Sequence, residues 1–157
     1  MLDSDVVIAA ADHPSLGDGV ADFVAGLRSE RRYFGPSARG NPKPFPSLIG
    51  ALERTDGIRL AAVGADRVIG AVRVDDADEV FVAVAMGFRG RGIGTSLLTA
   101  AIAQAPPGRQ RLVIRASRRS IAIQRTAERV GAVAMDVERG RVELILPAIG
   151  CAIPTSA

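Results

Sequence analysis

The chain has 157 residues, 48% of them apolar and 24% charged, which suits one compact domain and argues against a disordered or fibrous chain. A single cysteine, Cys151, and a single histidine, His13, exclude an internal disulfide, a multi-cysteine metal site and a histidine cluster, so no metal is expected. The net charge is +3, and of the 20 basic residues only Lys43 is not arginine, the residue that grips phosphate and carboxylate with a forked pair of donors.

Such an arginine bias points to a phosphorylated ligand or an anionic partner. A pI near 9.9 also suggests nucleic acid, but aromatic residues make up only 4% and no basic stretch is interleaved with them, so no nucleic-acid partner is expected. Apolar runs are broken long before the roughly 20 residues of a membrane helix, and the acidic start MLDSD lacks a signal peptide's positive region. A soluble, cytoplasmic protein with no membrane partner is the expectation.

In chain order, Val6 to Ala10 reads as a strand, and Asp12, Pro14 and Ser15 open a helix towards Leu27. Residues 29–34, with the only tyrosine, Tyr33, beside Phe34, suggest a short helix; Gly35 to Pro46 reads as a loop, and Ser47 as the cap of a helix through Leu52. Ile58 to Val63 and Arg67 to Val74 form a hairpin about Gly64-Ala65-Asp66, and after the polar turn Asp75 to Asp78 a third antiparallel strand runs from Glu79 to Ala85. From Gly94 the period changes: Leu97, Leu98, Ala101, Ile102 and Ala105 share one helical face, ended by Pro106-Pro107. A strand at Arg111 to Ile114, a helix from about Ser120 to Val130 closed by Gly131, and a terminal hairpin about Arg139-Gly140 complete the chain. The order predicts an α/β fold with a mixed, mostly antiparallel sheet flanked by helices, with residues 1–148 as one domain and 149–157 as a tail.

The most informative segment is Arg89-Gly90-Arg91-Gly92-Ile93-Gly94-Thr95, between a strand and a helix. Glycines let backbone N–H groups approach an anion, and the helix that follows adds unpaired donors and the positive end of its dipole. A pyrophosphate suits that cradle. The Lys of a Walker loop is absent, and position 95, where a dinucleotide fingerprint needs its third glycine, is Thr.

With Val82-Ala83-Val84 on the preceding strand, this string resembles the Arg/Gln-x-x-Gly-x-Gly/Ala motif of the GNAT superfamily of N-acetyltransferases. The element order extends the resemblance from about Val6 to Leu146, and the motif is sharp from Glu79 to Ala105. The resemblance implies splayed central strands, and acetyl-CoA as cosubstrate. It implies that backbone N–H groups of Gly90 to Thr95, with Arg89 and Arg91, hold the pyrophosphate, and that the strand Val82 to Val84 pairs with the pantetheine arm. The family's later signature, Asn and then Tyr seven residues on, falls on Ser120 and Ala127, so the usual thiolate-protonating tyrosine is absent; Ser120 is kept as a cofactor-side residue. In some protein-lysine acetyltransferases of the superfamily a glutamate matching Glu79 is the general base, and Glu79 is the candidate catalytic residue. A strand N–H such as that of Val84 is the candidate oxyanion donor. Arg109, Arg111, Arg115, Arg118 and Arg119 cluster where the 3′-phosphate approaches in that family, or form a solvated basic face.

The expected activity is transfer of an acetyl or short acyl group from acetyl-CoA to a primary amine, possible acceptors being a protein lysine or a small molecule, by a monomer or homodimer. Two other readings compete: a catalytically degenerate acyl-CoA-binding module, and a basic nucleic-acid-binding domain.

Overall fold

The computed structural model describes residues 5–29, 44–106, 111–137 and 140–147. In chain order the elements are β1 (Val7–Ala10), a 3-10 turn (Pro14–Leu16), α1 (Gly19–Ser29), α2 (Pro44–Glu53), β2 (Ile58–Gly64), β3 (Arg67–Val74), β4 (Val80–Val84), a second 3-10 turn (Met86–Phe88), α3 (Ile93–Gln104), β5 (Leu112–Ser117), α4 (Ile121–Arg129), β6 (Val133–Val137) and β7 (Arg141–Leu146). The α/β class holds, and so does the order of the elements that fall on described residues; the short helix suggested over 29–34 lies outside them beyond residue 29. Tyr33, Phe34, Arg109, Arg139, Cys151 and the proposed tail lie outside the described residues.

Several boundaries differ from expectation. The helix towards Leu27 is divided at Gly17, whose φ of 53° ends a 3-10 turn capped by His13, whose Nδ1 accepts from the Ser15 N–H. The predicted loop ends earlier, because α2 begins at Pro44: proline tolerates the first turn of a helix, where no N–H partner is needed, and Ser47 is therefore inside the helix and not its cap. Strand β5 continues to Ser117, paired with β7 throughout, where the sequence suggested a stop at Ile114.

The strands form two antiparallel sheets, ordered β1-β2-β3-β4 and β5-β7-β6. Alternation along β2, β3 and β4, broken by a bulge that leaves Ile69 out of register between the Ala62–Gly70 and Val63–Val68 pairs, sends Leu60, Ala62, Ile69, Val72, Val74 and Val80 to one face and Ala61, Val68 and Ala71 to the other. Helix α3 covers the first face with Ile93, Leu97, Leu98, Ala101 and Ile102, four of which belong to the predicted helical stripe. Helices α1 and α2 cover the second with Phe23, Val24, Leu27, Ile49 and Leu52, and an Arg28–Glu53 ion pair links them. On that face Arg73 is the one buried charged residue among those described. Its Nε donates to the Asp56 carbonyl at 2.9 Å and its Nη2 lies 3.3 Å from Asp56 Oδ1.

The two sheets meet at one place, a parallel bridge between Glu79 and Val113, where the Val113 N–H donates to the Asp78 carbonyl at 2.9 Å. Past it β4 and β5 part. The mixed sheet with splayed central strands is therefore two antiparallel sheets hinged at their shared end. No helix among the described residues is long and apolar enough to cross a membrane.

Candidate functional site

Strand β4 is bonded on one side only beyond the bridge, and the register decides which of its peptide groups remain available. Ala85 N–H donates to the Ile69 carbonyl at 2.8 Å, and Glu79 carbonyl accepts from the Asp75 N–H at 3.0 Å. Antiparallel pairs alternate, so Phe81 and Ala83 turn their peptide groups to β3 while Val82 and Val84 turn theirs to the gap before β5. Of the three strand residues expected to meet the pantetheine arm, Val82 and Val84 thus present backbone there, and Ala83 does not. The Val84 carbonyl already accepts from Arg89 Nε at 2.8 Å.

The free edge of β4 runs into the glycine loop. After the turn Met86–Phe88, the chain reverses through Gly90 (φ 79°) and Gly92 (φ 82°), left-handed conformations that an L side chain takes only at a cost. Gly92 caps α3, whose first backbone bond, Ser96 N–H to the Gly92 carbonyl, is 3.0 Å long. The N–H groups of Ile93, Gly94 and Thr95 precede that bond and have no acceptor within the helix. Gly94 and Thr95 lie inside the helix and not before it, one residue earlier than the sequence suggested. Three aligned donors at the positive end of a twelve-residue helix form an anion cradle.

The two loop arginines are not simple solvated charges. Arg89 is folded back on β4, and the guanidinium of Arg91 stands 5.3 Å from the centre of the Phe88 ring, which also carries Arg67 at 5.2 Å. A Cβ on Gly94 would come 3.2 Å from Thr126 Cγ2 and 3.8 Å from Val84 Cγ2, so only the smallest side chains let α3, α4 and β4 approach this closely.

Ser120 occupies the cap position of α4, but its side chain makes no capping bond. Gln124 ties the helix start to the preceding turn in another way: its Nε2 donates to the carbonyls of Arg118 at 2.8 Å, Ser117 at 3.2 Å and Ser120 at 3.3 Å. Ala127, where the family signature has tyrosine, is fully buried against the core shared by α3, β5 and β7, and the Thr126 hydroxyl donates to the Ala122 carbonyl. Neither offers a phenol-like acid.

Glu79 is not a free strand-end carboxylate. Its side chain is 23% exposed, and Oε1 accepts from Arg115 Nη1 at 2.7 Å. Arg115 in turn donates through Nε to Glu143 Oε2 at 3.1 Å, its cross-strand neighbour on β7. Partial burial works against the Arg115 charge, but the two carboxylates outweigh it and hold this guanidinium above its ordinary range. The sequence placed Arg115 in a basic cluster and gave no role to Glu143. Only the β5–β7 register brings them together, and because α4 and β6 separate these strands in the chain, no local signal marks the pairing.

A family model described as "Acetyltransferase (GNAT) family" matches residues 26–132. No curated protein matches the sequence. Among solved structures, the chain resembles RimL, a ribosomal L7/L12 α-N-protein acetyltransferase in complex with coenzyme A, at TM-score 0.64 and 14% identity, covering 96% of this chain and 97% of that one. It also resembles yncA, a putative acetyltransferase from Salmonella typhimurium with acetyl-CoA, at TM-score 0.60 and 18% identity, covering 98% and 99%. The GNAT domain of S. lividans PAT gives TM-score 0.62 at 18% identity, covering 90% and 89%. These identities speak to the fold, and the family match spans more than half of the sequence: the chain belongs to the GNAT family of acetyltransferases.

Proposed function

We propose that the chain transfers an acetyl or short acyl group from acetyl-CoA to a primary amine. The observation that carries this reading is the unpaired β4 edge leading directly into the Gly92-capped N-terminus of α3. The N–H groups of Ile93, Gly94 and Thr95, on a backbone turned by Gly90 and Gly92, receive the pyrophosphate. Arg89 fixes the loop to β4, and Arg91 adds charge. Val82 and Val84 hydrogen-bond the pantetheine arm along the gap, and the Val84 N–H is the donor for the oxyanion. Ser120, at the start of α4, stands at the cofactor side. Two of the neighbours named above, yncA and RimL, hold acetyl-CoA and coenzyme A respectively, which agrees with this use of the fold.

The acceptor nitrogen attacks the thioester carbonyl, a C–N bond forms, the C–S bond breaks and sulfur leaves as thiolate. A lysine-type amine is neutral to less than about a thousandth at pH 7, so a proton acceptor raises the reactive fraction, and Glu79 takes that proton. With alanine at 127 the thiolate leaves unassisted or is protonated by water, which its modest basicity, with a thiol pKa of roughly 8.5, permits. We take residues 1–148 as the catalytic domain, working in the cytoplasm as a monomer or homodimer on a protein lysine or a small amine.

Ala127 favours a second reading, an acyl-CoA-binding module without turnover. Thermal shift and thiol release separate the two. At 100 times its dissociation constant a ligand stabilises by about 2.7 kcal/mol, so acetyl-CoA should raise Tm by several degrees while duplex DNA at physiological salt does little. Thiol release on adding amines establishes the transferase; a Tm shift without release establishes the binding module; a shift with DNA alone refutes both.

A further inference from the structure

Where β4 and β5 part, the first side chains to span the opening are charged. Val113 forms the bridge with Glu79, and Arg115, two residues on, lies on the same face of β5. That face is opposite buried Leu112 and Ile114, and alternation along β4 sets Glu79 on the corresponding side, with Phe81 and Ala83. Arg115 reaches back across the gap to Glu79 and sideways to Glu143, so one guanidinium joins the edge of the first sheet to the middle strand of the second.

Stability does not account for this arrangement. The Arg115 side chain is 55% exposed, and ion pairs so open to water contribute little. Geometry does. A glutamate at the start of a strand has three rotatable bonds, and a general base must stay within hydrogen-bond reach of the proton it takes. Here Oε1 is held by Arg115, Arg115 is itself held by Glu143, and the Glu79 N–H is held by Asp75 Oδ1 at 2.9 Å. Oε2 keeps no partner among the described residues, and it is the oxygen left to accept a proton.

We infer that Arg115 is a positioning residue for acyl transfer: braced by Glu143, it fixes the Glu79 carboxylate at the mouth of the β4–β5 gap with Oε2 directed to the acceptor. This rests on the transferase reading with Glu79 as base. Arg115 touches no reacting atom and acts through Glu79. Glu143 matters because it keeps the guanidinium from swinging into solvent.

The test is a double-mutant cycle on the full chain, with acetyl-CoA as donor and water or ethanolamine as acceptor, read by free-thiol release. Arg115→Met should lower kcat roughly ten- to a hundredfold, as small misplacements of a catalytic group do, with the Kd for acetyl-CoA within about twofold of wild type. Arg115→Lys should recover part of the loss, since an ammonium can reach one carboxylate but cannot bridge two. In a Glu79→Gln background Arg115→Met should change kcat by less than about twofold, because the group it positions is gone. A merely structural role predicts the same fractional loss in both backgrounds, with a matching fall in Tm, and that result overturns the inference. A slow Glu79→Gln beside a normal Arg115→Met overturns it while leaving the base intact. A wild type that binds acetyl-CoA and releases no thiol with either acceptor overturns both the transferase reading and this one.

Discussion

Replacing Gly92 with aspartate separates ligand binding from folding at the anion cradle. Gly92 has φ 82° and ψ 5°, so any L side chain there carries a left-handed penalty of about 1–2 kcal/mol. Aspartate at a helix N-terminus recovers part of this, about 0.3–1 kcal/mol, through the dipole; the extended backbone that lets a capping carboxylate reach the next amides is absent. The net cost to folding is then about 0–2 kcal/mol, and for a chain of this size Tm should fall by no more than about 8 °C. Binding suffers more, because a negative charge is fixed beside the N–H groups of Ile93, Gly94 and Thr95. A tenfold loss in coenzyme A affinity, about 1.4 kcal/mol, is the minimum expected. Gly92→Ala carries the same backbone strain without the charge, so it should lose less affinity. Raising salt should narrow the gap between the two variants, as screening weakens exposed charge repulsion. Calorimetric titration with coenzyme A at two salt concentrations, beside thermal melts, gives both numbers. Equal losses for alanine and aspartate would assign the effect to strain, and an unchanged Kd in both would show that the anion binds elsewhere.

Other substitutions probe the remaining joints of the site. Glu79→Gln, measured at saturating acetyl-CoA, should lower kcat/KM for an amine by roughly 10² to 10⁴ with little change in coenzyme affinity. Gly94→Leu should force α4 off α3 at Thr126 and reduce both Tm and coenzyme affinity, whereas Gly94→Ala, which needs a few tenths of an ångström, should be mild in melts and titrations. Leu97→Ala, in the centre of the α3 interface, should cost about 3–5 kcal/mol in denaturant unfolding without a specific effect on acetyl-CoA binding beyond stability. The Asp56 carboxyl is held below its usual range by the Arg54 hydrogen bond and, less, by its own backbone. A depressed folded-state pKa stabilises above the unfolded value and is lost on acidification. The stability difference between wild type and Asp56→Asn should therefore be present at neutral pH and shrink as the pH falls through and below the ordinary carboxylate range; a difference unchanged by that acidification refutes this linkage.

The fold was legible where one physical signal governed several residues together. Apolar runs bounded by the turns at Gly64-Ala65-Asp66 and Asp75 to Asp78 marked β2, β3 and β4, and the change to helical spacing at Leu97, Leu98, Ala101 and Ile102 marked α3, because burial of one helical stripe sets that period. Boundaries failed where local and tertiary preferences compete. Pro44 and Pro46 read as loop residues, yet the first turn of α2 accepts proline. Ser117 and its neighbours are polar, yet β7 supplies pairing partners to the end of β5. Ser120 has the chemistry and the position of a cap, yet its side chain makes no bond to the N–H groups of the first turn, while the Gln124 amide donates to the carbonyls of Ser117, Arg118 and Ser120.

The candidate site divides in the same way. The anion cradle is a local object, made by consecutive residues whose glycines and helix start are visible in the sequence, so its placement needs only the strand before and the helix after. The neighbourhood of Glu79 is not local. Residues 79, 115 and 143 are brought together by the single bridge at Val113 and by the β5–β7 register, neither of which any spacing within the chain encodes. A carboxylate that looked like one more acidic residue beside Asp75, Asp76 and Asp78 is instead tied to a guanidinium across the opening between two sheets. That difference bears on mechanism. A solvated glutamate samples many orientations and is a poor base for one attacking nitrogen, whereas a carboxylate with one oxygen anchored and one available offers its proton-accepting lone pairs in a narrow range of directions. The same anchoring bears on the family tyrosine: Ala127, at its position, is buried in the core, and neither it nor Thr126 offers an acid to a leaving sulfur. On the proposed transferase reading, acceleration then comes from the acceptor side and the backbone donors of β4, so rate losses should concentrate at Glu79 and Arg115 and not along α4.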